Sequence, residues 1–350
     1  MKKPILRVQF FGSHWTKKTN LFSKPVPVTK HKCNICYLEF HYMKFIILTL
    51  FTFLIGFNLQ SEQPTVYGKL WISIESQDTA SGTEVDMVSN ASRLGIKGAM
   101  DFGEGIEAIY QAEYEVDPVD GTADESKDRT FKQRNSFVGL KGSMGTIFLG
   151  THDTATKRSL KKIDLFNDLA GDIKNIFQGE NRMSDLVGYK TPKMNGFSAT
   201  FNAIKGTEGL GDDNIGDSTS ISLSYDTKTF YTALAFDSDL KGYDSIRLML
   251  QIPFNRSQLG IMFQESKKLS TGEEEGGYVV SFSQKVGNKG MLKFQQAESD
   301  MKLDSGKQFT FGYDYKLSSK AKAFYFFTDL NGNEDSKEKD IHGVGFEYKF

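Results

Sequence analysis

The chain ends in the stretch VGFEYKF, residues 344–350, in which apolar and polar side chains alternate. Its apolar side chains, from Val344 to Phe350, fall on one face of an extended strand, whereas Glu347 and Lys349 fall on the other. This follows because successive side chains of a β-strand point to opposite sides of the sheet. The stretch therefore predicts a strand with one apolar face and one wet, charged face.

The same two-residue period recurs far from the terminus. Segments 277–286 and 307–316 alternate aromatic or branched residues with small and polar ones, and Leu94 and Ile96 oppose polar neighbours in 90–100. Soluble sandwiches show this alternation too. These strands, however, finish in Tyr and Phe, as a girdle at a membrane interface requires. The pattern therefore favours strands that cross a membrane.

Sixteen such segments, each about ten residues long, are predicted from residue 64 onward. They lie at 65–75, 90–100, 105–116, 131–142, 145–152, 185–191, 196–205, 218–226, 229–237, 243–252, 258–266, 277–286, 289–298, 307–316, 320–329 and 340–350. Short turns are expected to alternate without exception with long connections. The long connections are predicted at 76–89, 117–130, 153–184, 206–217, 267–276 and 330–339, with shorter excursions near 238–242 and 299–306. An even strand number and this asymmetry predict an all-β fold, a sixteen-stranded antiparallel transmembrane β-barrel.

Composition agrees with a barrel and excludes a helical membrane protein. Only 39% of the 350 residues are hydrophobic, and the mean hydropathy is −0.40. No run of about 20 apolar residues exists in the body of the chain, so a membrane-spanning helix is excluded there. A barrel keeps its mean hydropathy low because only every second residue faces lipid. The high aromatic content, 33 Gly and only 7 Pro suit many strands joined by short turns.

Residues 43–61 have the layout of a secretory signal peptide. Lys44 precedes an apolar core of about a dozen residues, which is too short to span a bilayer and is followed by polar residues. No A-x-A motif is present, and cleavage is predicted close to Ser61. Residues 1–42 precede this segment and are interpreted as a gene-start error with Met43 as the true start. A disordered basic extension is the alternative, and 62–350 is the predicted barrel.

Charge and cysteine content limit the partners. Residues 1–61 hold nine of the 43 basic residues and one of the 44 acidic residues, so the rest of the chain has a net charge of about −9. Such a surface argues against nucleic acid as a partner. The two cysteines, Cys33 and Cys36, lie in the first 42 residues, so 62–350 cannot hold a disulfide or a thiolate metal site. No metal and no cofactor are predicted.

Acidic clusters at 212–213, 273–275 and 334–335 lie in predicted long connections. They are interpreted as solvated surface. Bridging of lipopolysaccharide by divalent cations is the alternative.

Several segments together resemble a known family. They are VYGKL at 66–70, SRLGIKG at 92–98, RNSFVGLKG at 134–142, FLGTHDT at 148–154, VGYKTP at 187–192 and the terminal aromatic strand. In order and spacing, across about 64–350, the chain resembles the trimeric general porins of Gram-negative bacteria. The resemblance implies a homotrimer in the cell outer membrane, in contact with lipid and lipopolysaccharide. It also implies passive diffusion of ions and small hydrophilic solutes, and a third loop folded into the lumen as the constriction.

The third loop is predicted at 153–184, and its acids would face a basic barrel wall. The resemblance places wall arginines at positions matching Arg93 and Arg182, with Arg134 near a third. Arg93 lies on the strand face opposite lipid-facing Leu94, so strand alternation places it in the lumen. Arg134 instead falls on the same face as apolar Val138, so only a bulge would turn it inward. Without a bulge, Asn135 is the better lumen candidate. The predicted constriction residues are Arg93, Lys97, Arg134, Asn135, Asp164, Asp168, Asp172 and Arg182.

If the acids of the third loop face the wall arginines, the two sets of charges would set up a transverse field across a narrow aqueous passage. The alternatives are that the third loop is only a solvated loop and that the lumen cations serve only solubility. The acidic balance predicts a weak cation preference.

Other functions are less well supported by the residues. After residue 61 the chain has two histidines, His152 and His342, and no serine in a nucleophile-elbow context, so an enzyme is not predicted. A substrate-specific outer-membrane channel or an adhesin using the same barrel is the alternative, and a soluble β-structure is a further one.

Overall fold

The computed structural model describes residues 60–61, 63–206, 214–303, 306–332 and 338–350. The predicted N-terminal extension, 1–42, and nearly all of the predicted signal peptide, 43–61, lie outside the described residues. All the strands belong to the compact unit Leu59–Phe350. Within the described part of the chain, no helix has both the length and the apolar character needed to cross a membrane.

Sixteen antiparallel strands close into a barrel, as the alternation predicts. They are β1 (Thr65–Thr79), β2 (Gly82–Ser89 continued by Arg93–Asp101), β3 (Glu107–Val116), β4 (Phe131–Gly142), β5 (Gly145–Asp153), β6 (Arg182–Lys190), β7 (Phe197–Lys205), β8 (Ile215–Asp226), β9 (Tyr231–Leu240), β10 (Tyr243–Phe254), β11 (Ser257–Lys268), β12 (Glu274–Val286), β13 (Gly290–Ser299), β14 (Gly306–Lys316), β15 (Ala321–Asn331) and β16 (Lys339–Lys349). Each strand pairs with its sequence neighbours. The barrel closes where β16 pairs with β1, from Asp340 opposite Asp78 to Lys349 opposite Lys69.

Three short elements accompany the strands. Helix α1 spans Ala155–Ser159, and single 3-10 turns span Glu125–Lys127 and Ile173–Asn175. The two residues Gln60–Ser61 pair with the end of β2.

Burial is inverted relative to a soluble protein. On β16, Phe346 is 57% exposed while its neighbour Glu347 is 6% exposed. On β14, Phe309 is exposed while Gln308 and Thr310 are fully buried. Apolar side chains therefore cover the outside of the closed barrel, and the buried, mainly polar face (the inner face below) lies inside. This is the arrangement of a barrel whose outside contacts lipid.

The predicted alternation of long and short connections is wrong at two places. The segment 76–89 is not a loop but a hairpin, since β1 continues to Thr79 and pairs with β2 at Gly82. The predicted excursion near 238–242 likewise reduces to a tight turn between paired Leu240 and Tyr243. Charge obscured the first hairpin, because its acidic residues alternate with Val85 and Met87 at strand period.

Candidate functional site

The longest connection, the segment 154–181, joins β5 to β6. Its backbone folds back on itself at the base, where the Thr154 amide donates to the Asn181 carbonyl. The Thr154 side chain caps α1 by accepting the Lys157 amide, and Asp172 caps the 3-10 turn in the same way. Such side-chain caps satisfy amides that a helix start would otherwise leave unpaired.

The segment packs its apolar side chains against the inner face. One group joins segment residues to the wall of β9–β13 and the turn that follows β13; it comprises Leu160, Ile163, Ile173, Ile176 and Phe177 with Tyr231, Ala233, Ala235, Met249, Met262, Val279, Ala297 and Met301. A second group sets Phe166 and Leu169 against Trp71, Phe324, Phe326 and Ile341. Full burial of such a side chain stabilises by roughly 1.5–3 kcal/mol, so this contact orders the segment.

Polar bonds fasten the segment at further points. The carbonyl of Gly171 accepts hydrogen bonds from the side-chain amides of Gln295, at 3.0 Å, and Gln308. Arg247, which is fully buried, donates to Glu180 at 2.6 Å and to the Gln178 carbonyl at 2.9 Å. These wall residues belong to β10, β13 and β14, so the segment is tied to several strands at once.

Two of the three acids predicted to face the wall serve the segment itself. Asp164 accepts the amides of Phe166 and Ile173, at 3.0 and 3.3 Å. Asp172 accepts the amides of Asp168 and Lys174, both at 2.8 Å. Burial raises the pKa of Asp164 well above its usual range, and the nearby Asp172 raises it further. Both side chains therefore hold local backbone structure.

Asp168 is the acid that meets the barrel wall. Its carboxylate lies 2.5 Å from the guanidinium of Arg93, 3.9 Å from that of Arg134 and 4.0 Å from the ammonium of Lys69. Burial alone would raise the pKa of Asp168, but Arg93, Arg134 and Lys69 outweigh burial and hold that pKa at about 2. This carboxylate is therefore ionised throughout the physiological range.

Two wall acids complete this group. Arg134 donates to Glu113 at 3.0 Å and to Glu115 at 2.5 Å. Glu113 also accepts from the hydroxyl of Tyr67 and lies 4.0 Å from Arg93. The group of Lys69, Arg93, Arg134, Glu113, Glu115 and Asp168, called the charged cluster below, thus holds three cations and three carboxylates. Lys69, Glu113 and Glu115 were not predicted, although strand parity alone assigns Lys69 to the face opposite exposed Leu70.

A β-bulge explains how Arg134 reaches the inner face. The β3–β4 register passes from Ala112 opposite Ser136 to Tyr114 opposite Gln133, so Arg134 and Asn135 both face Glu113. An extra residue of this kind lets two successive side chains turn to one side. Arg134 and Asn135 are 7% and 9% exposed, so both lie on the inner face, whereas parity without a bulge gave Asn135 alone.

Arg182, Asp153 and Lys157 form a second charged group around Asn135 at the base of the segment. Arg182 donates to Asn135 Oδ1 at 3.0 Å and lies 2.9 Å from Asp153. Asn135 in turn donates to Asp153 at 3.0 Å, and Lys157 lies 3.6 Å from the same carboxylate. Lys97 joins neither group: it is exposed, with its ammonium 5.2 Å from the ring of Tyr67.

In the described ranges, no group of three or more His, Cys, Asp or Glu side chains is placed to hold a metal ion.

A model of the family described as Gram-negative porin matches residues 56–336. The chain belongs to the Gram-negative porins. Outer membrane porin protein 32 of Delftia acidovorans is 30% identical to this porin over 292 residues, which cover 75% of the chain and 78% of that protein. The major outer membrane protein P.IB of Neisseria lactamica is 26% identical over 186 residues, covering 49% of this chain and 52% of its own.

Solved porin structures have the same fold. The anion-selective porin from Comamonas acidovorans superposes with a TM-score of 0.69 at 23% identity, covering 83% of this porin and 100% of that chain. Salmonella typhi OmpF, in a complex with daunomycin, gives 0.67 at 14% identity, with coverages of 83% and 100%. This porin is thus an outer-membrane channel for passive diffusion, and its family identity implies a channel rather than an enzyme.

Proposed function

We propose that the segment 154–181 lies in the lumen as the constriction of this porin and that the charged cluster lines the passage for ions and small hydrophilic solutes. The contact between Asp168 and Arg93 carries the proposal. It joins the segment to β2, while other bonds join the same segment to β10, β13 and β14. A segment tied to the inner face on several sides of a closed wall narrows the space inside.

The charged cluster differs from the predicted arrangement, in which acids of the segment face cations of the wall across an open passage. Its cations and carboxylates are in contact, and three of each balance one another. A passing ion therefore meets fixed groups of both signs, each already satisfied by a partner. Conduction needs such weak binding, since an ion that binds tightly leaves slowly. The arrangement suits a general channel better than one dedicated to a single tightly held solute.

We further propose an anion preference in place of the weak cation preference that net charge predicts. The net charge counts every acid of the chain, whereas the charged cluster balances its three acids with Lys69, Arg93 and Arg134. A related structure is an anion-selective porin by its own description. Reversal potentials in planar bilayers under a potassium chloride gradient test this. A potential of the sign set by chloride supports it, and one of the sign set by potassium rejects it.

Porin relatives support an oligomer, and one structural neighbour is described as a trimer form. We propose that this porin is a homotrimer embedded in outer-membrane lipid and contacting lipopolysaccharide. Its apolar outer face can serve both lipid and a neighbouring subunit. Native mass spectrometry of the detergent-extracted protein tests the stoichiometry, and a monomer at all detergent concentrations would exclude the trimer.

The charge of the passage can be tested by replacing its segment acid. Asp168→Asn removes one negative charge among three cations, so chloride permeability relative to potassium should rise. Asp120→Asn, which removes the same charge from an exposed connection, is the matched control. Equal effects of both replacements would show that Asp168 does not line the passage.

A further inference from the structure

A cavity opens at the end of the barrel that carries the short turns. It lies between the turns at 255–256, 287–289 and 317–320 and the end of β16. Seven of the residues that line it are Lys or Arg, and two are acidic. In outer-membrane barrels the short turns face the periplasm. This cavity, called the lysine recess below, is therefore at the periplasmic mouth.

The two acids of the lysine recess are already paired. Asp314 lies 3.1 Å from Lys293 and 2.9 Å from Lys322. Glu347 lies 2.8 Å from Lys349 and 3.8 Å from Lys322. The partners of these two acids are Lys293, Lys322 and Lys349, so the acids do not compensate the other lysines of the recess.

Four lysines of the recess remain without an acidic partner. Within the described ranges, Lys285, Lys289, Lys316 and Lys320 make no ion pair. They lie at the two turns that join β12 to β13 and β14 to β15, and all four line the cavity. A concave surface with low-dielectric walls and one sign of charge concentrates the potential and attracts counter-ions.

We propose that the lysine recess binds small anions that carry two or more negative charges. Lysine ammonium groups act as point charges for phosphate-like groups, and each donates up to three hydrogen bonds. A single exposed charge contact contributes little, so a monovalent anion is held weakly. A multivalent anion engages several lysines at once and is retained.

The recess leads toward the charged cluster. The ammonium of Lys322 lies 5.2 Å from the centroid of the Trp71 ring, and that of Lys69 lies 3.7 Å from the same ring. Lys69 in turn lies 4.0 Å from Asp168. Cations therefore continue from the periplasmic mouth to the charged cluster. That the bound anion then enters the passage rests on the proposed function, whereas binding in the recess does not.

Titration calorimetry with inorganic tripolyphosphate tests binding directly on the full chain refolded in detergent at low salt. Saturable binding that weakens with added salt is expected. The double variant K316Q/K320Q should weaken it about fivefold, the effect of losing two exposed charge contacts. The control K267Q/K307Q removes two exposed lysines at the opposite end of the barrel. It should leave the affinity unchanged.

Absence of saturable binding, or an equal loss in the two double variants, would overturn the lysine recess as a site. A bilayer experiment separates this from the proposed function. Tripolyphosphate on the side of the short turns should reduce the current of the parent channel, and K316Q/K320Q should need about fivefold more. A channel that conducts yet binds no tripolyphosphate rejects the recess and leaves the porin function standing. A protein that binds tripolyphosphate but forms no conducting channel rejects the porin function and leaves the lysine recess standing.

Discussion

The carboxylate of Asp168 lies 2.5 Å from the guanidinium of Arg93, although 75 residues separate them in sequence. One belongs to the segment 154–181 and the other to the barrel wall. The contact exists because β2 turns Arg93 inward and because Asp172 accepts the Asp168 amide, fixing the backbone that presents the carboxylate. The pair therefore reports directly on where the segment sits.

Acidification should leave this pair intact over most of the pH range. Because the pKa of Asp168 is lowered from 3.8 to about 2, the ionised form is the one that folding favours. Its stabilisation, roughly 2 kcal/mol, is complete above about pH 4 and is lost as pH falls through about 2. The difference in reversal potential between the parent channel and Asp168→Asn should therefore be the same at pH 7 and at pH 4. A change centred near pH 4 that Asp168→Asn abolishes would contradict the pairing.

Loss of Arg247 should loosen the segment without unfolding the barrel. Arg247→Ala leaves Glu180 buried without its cation, which costs about 3–5 kcal/mol locally. Single-channel records should show more frequent conductance fluctuations, while heat-modifiable mobility on gels is retained. Arg129→Ala, at an exposed site outside the segment, is the control. If the conductance of Arg247→Ala fluctuates no more often than that of the parent channel, the Arg247–Glu180 ion pair does not anchor the segment.

Gly188 should not tolerate a side chain. A Cβ there would clash with the ring of Phe148, so Gly188→Ala forces the ring to move. Overpacking of this kind costs about 1–3 kcal/mol. The temperature at which the barrel unfolds on gels should fall, and Phe148→Leu in the same chain should restore part of it. Gly276→Ala, where the nearest atom would be 3.5 Å away, is the control. Equal unfolding temperatures for the two alanine variants would refute the close contact.

Much of the barrel could be predicted because a lipid-facing strand leaves a two-residue pattern in the sequence. The pattern depends on each strand alone, so all sixteen strands were found. It failed at the first hairpin, where Glu84 and Asp86, which alternate with Val85 and Met87, were interpreted as part of a loop. It also failed to show the inner apolar wall, since Met249 lies between two leucines and produces no alternation.

The site was harder to predict because it depends on contacts between distant residues. The bulge that turns both Arg134 and Asn135 inward is a property of the pairing with β3 and has no local signal. Asp164 and Asp172 accept backbone amides of the segment whereas Asp168 meets wall cations, and only the folded chain makes that distinction. By contrast, Lys69 and Glu113 could have been found by applying strand parity to every charged residue.

Labelling of single cysteines tests most directly whether Asp168 lines the passage. The chain has no cysteine after Cys36, so Asp168→Cys and Leu94→Cys each introduce a unique thiol into the barrel. Leu94 is exposed on the outer face and serves as control. A bulky anionic thiol reagent should reduce the single-channel conductance of Asp168→Cys and leave that of Leu94→Cys unchanged. Complete labelling of Asp168→Cys, shown by mass spectrometry, with an unaltered conductance would contradict the account.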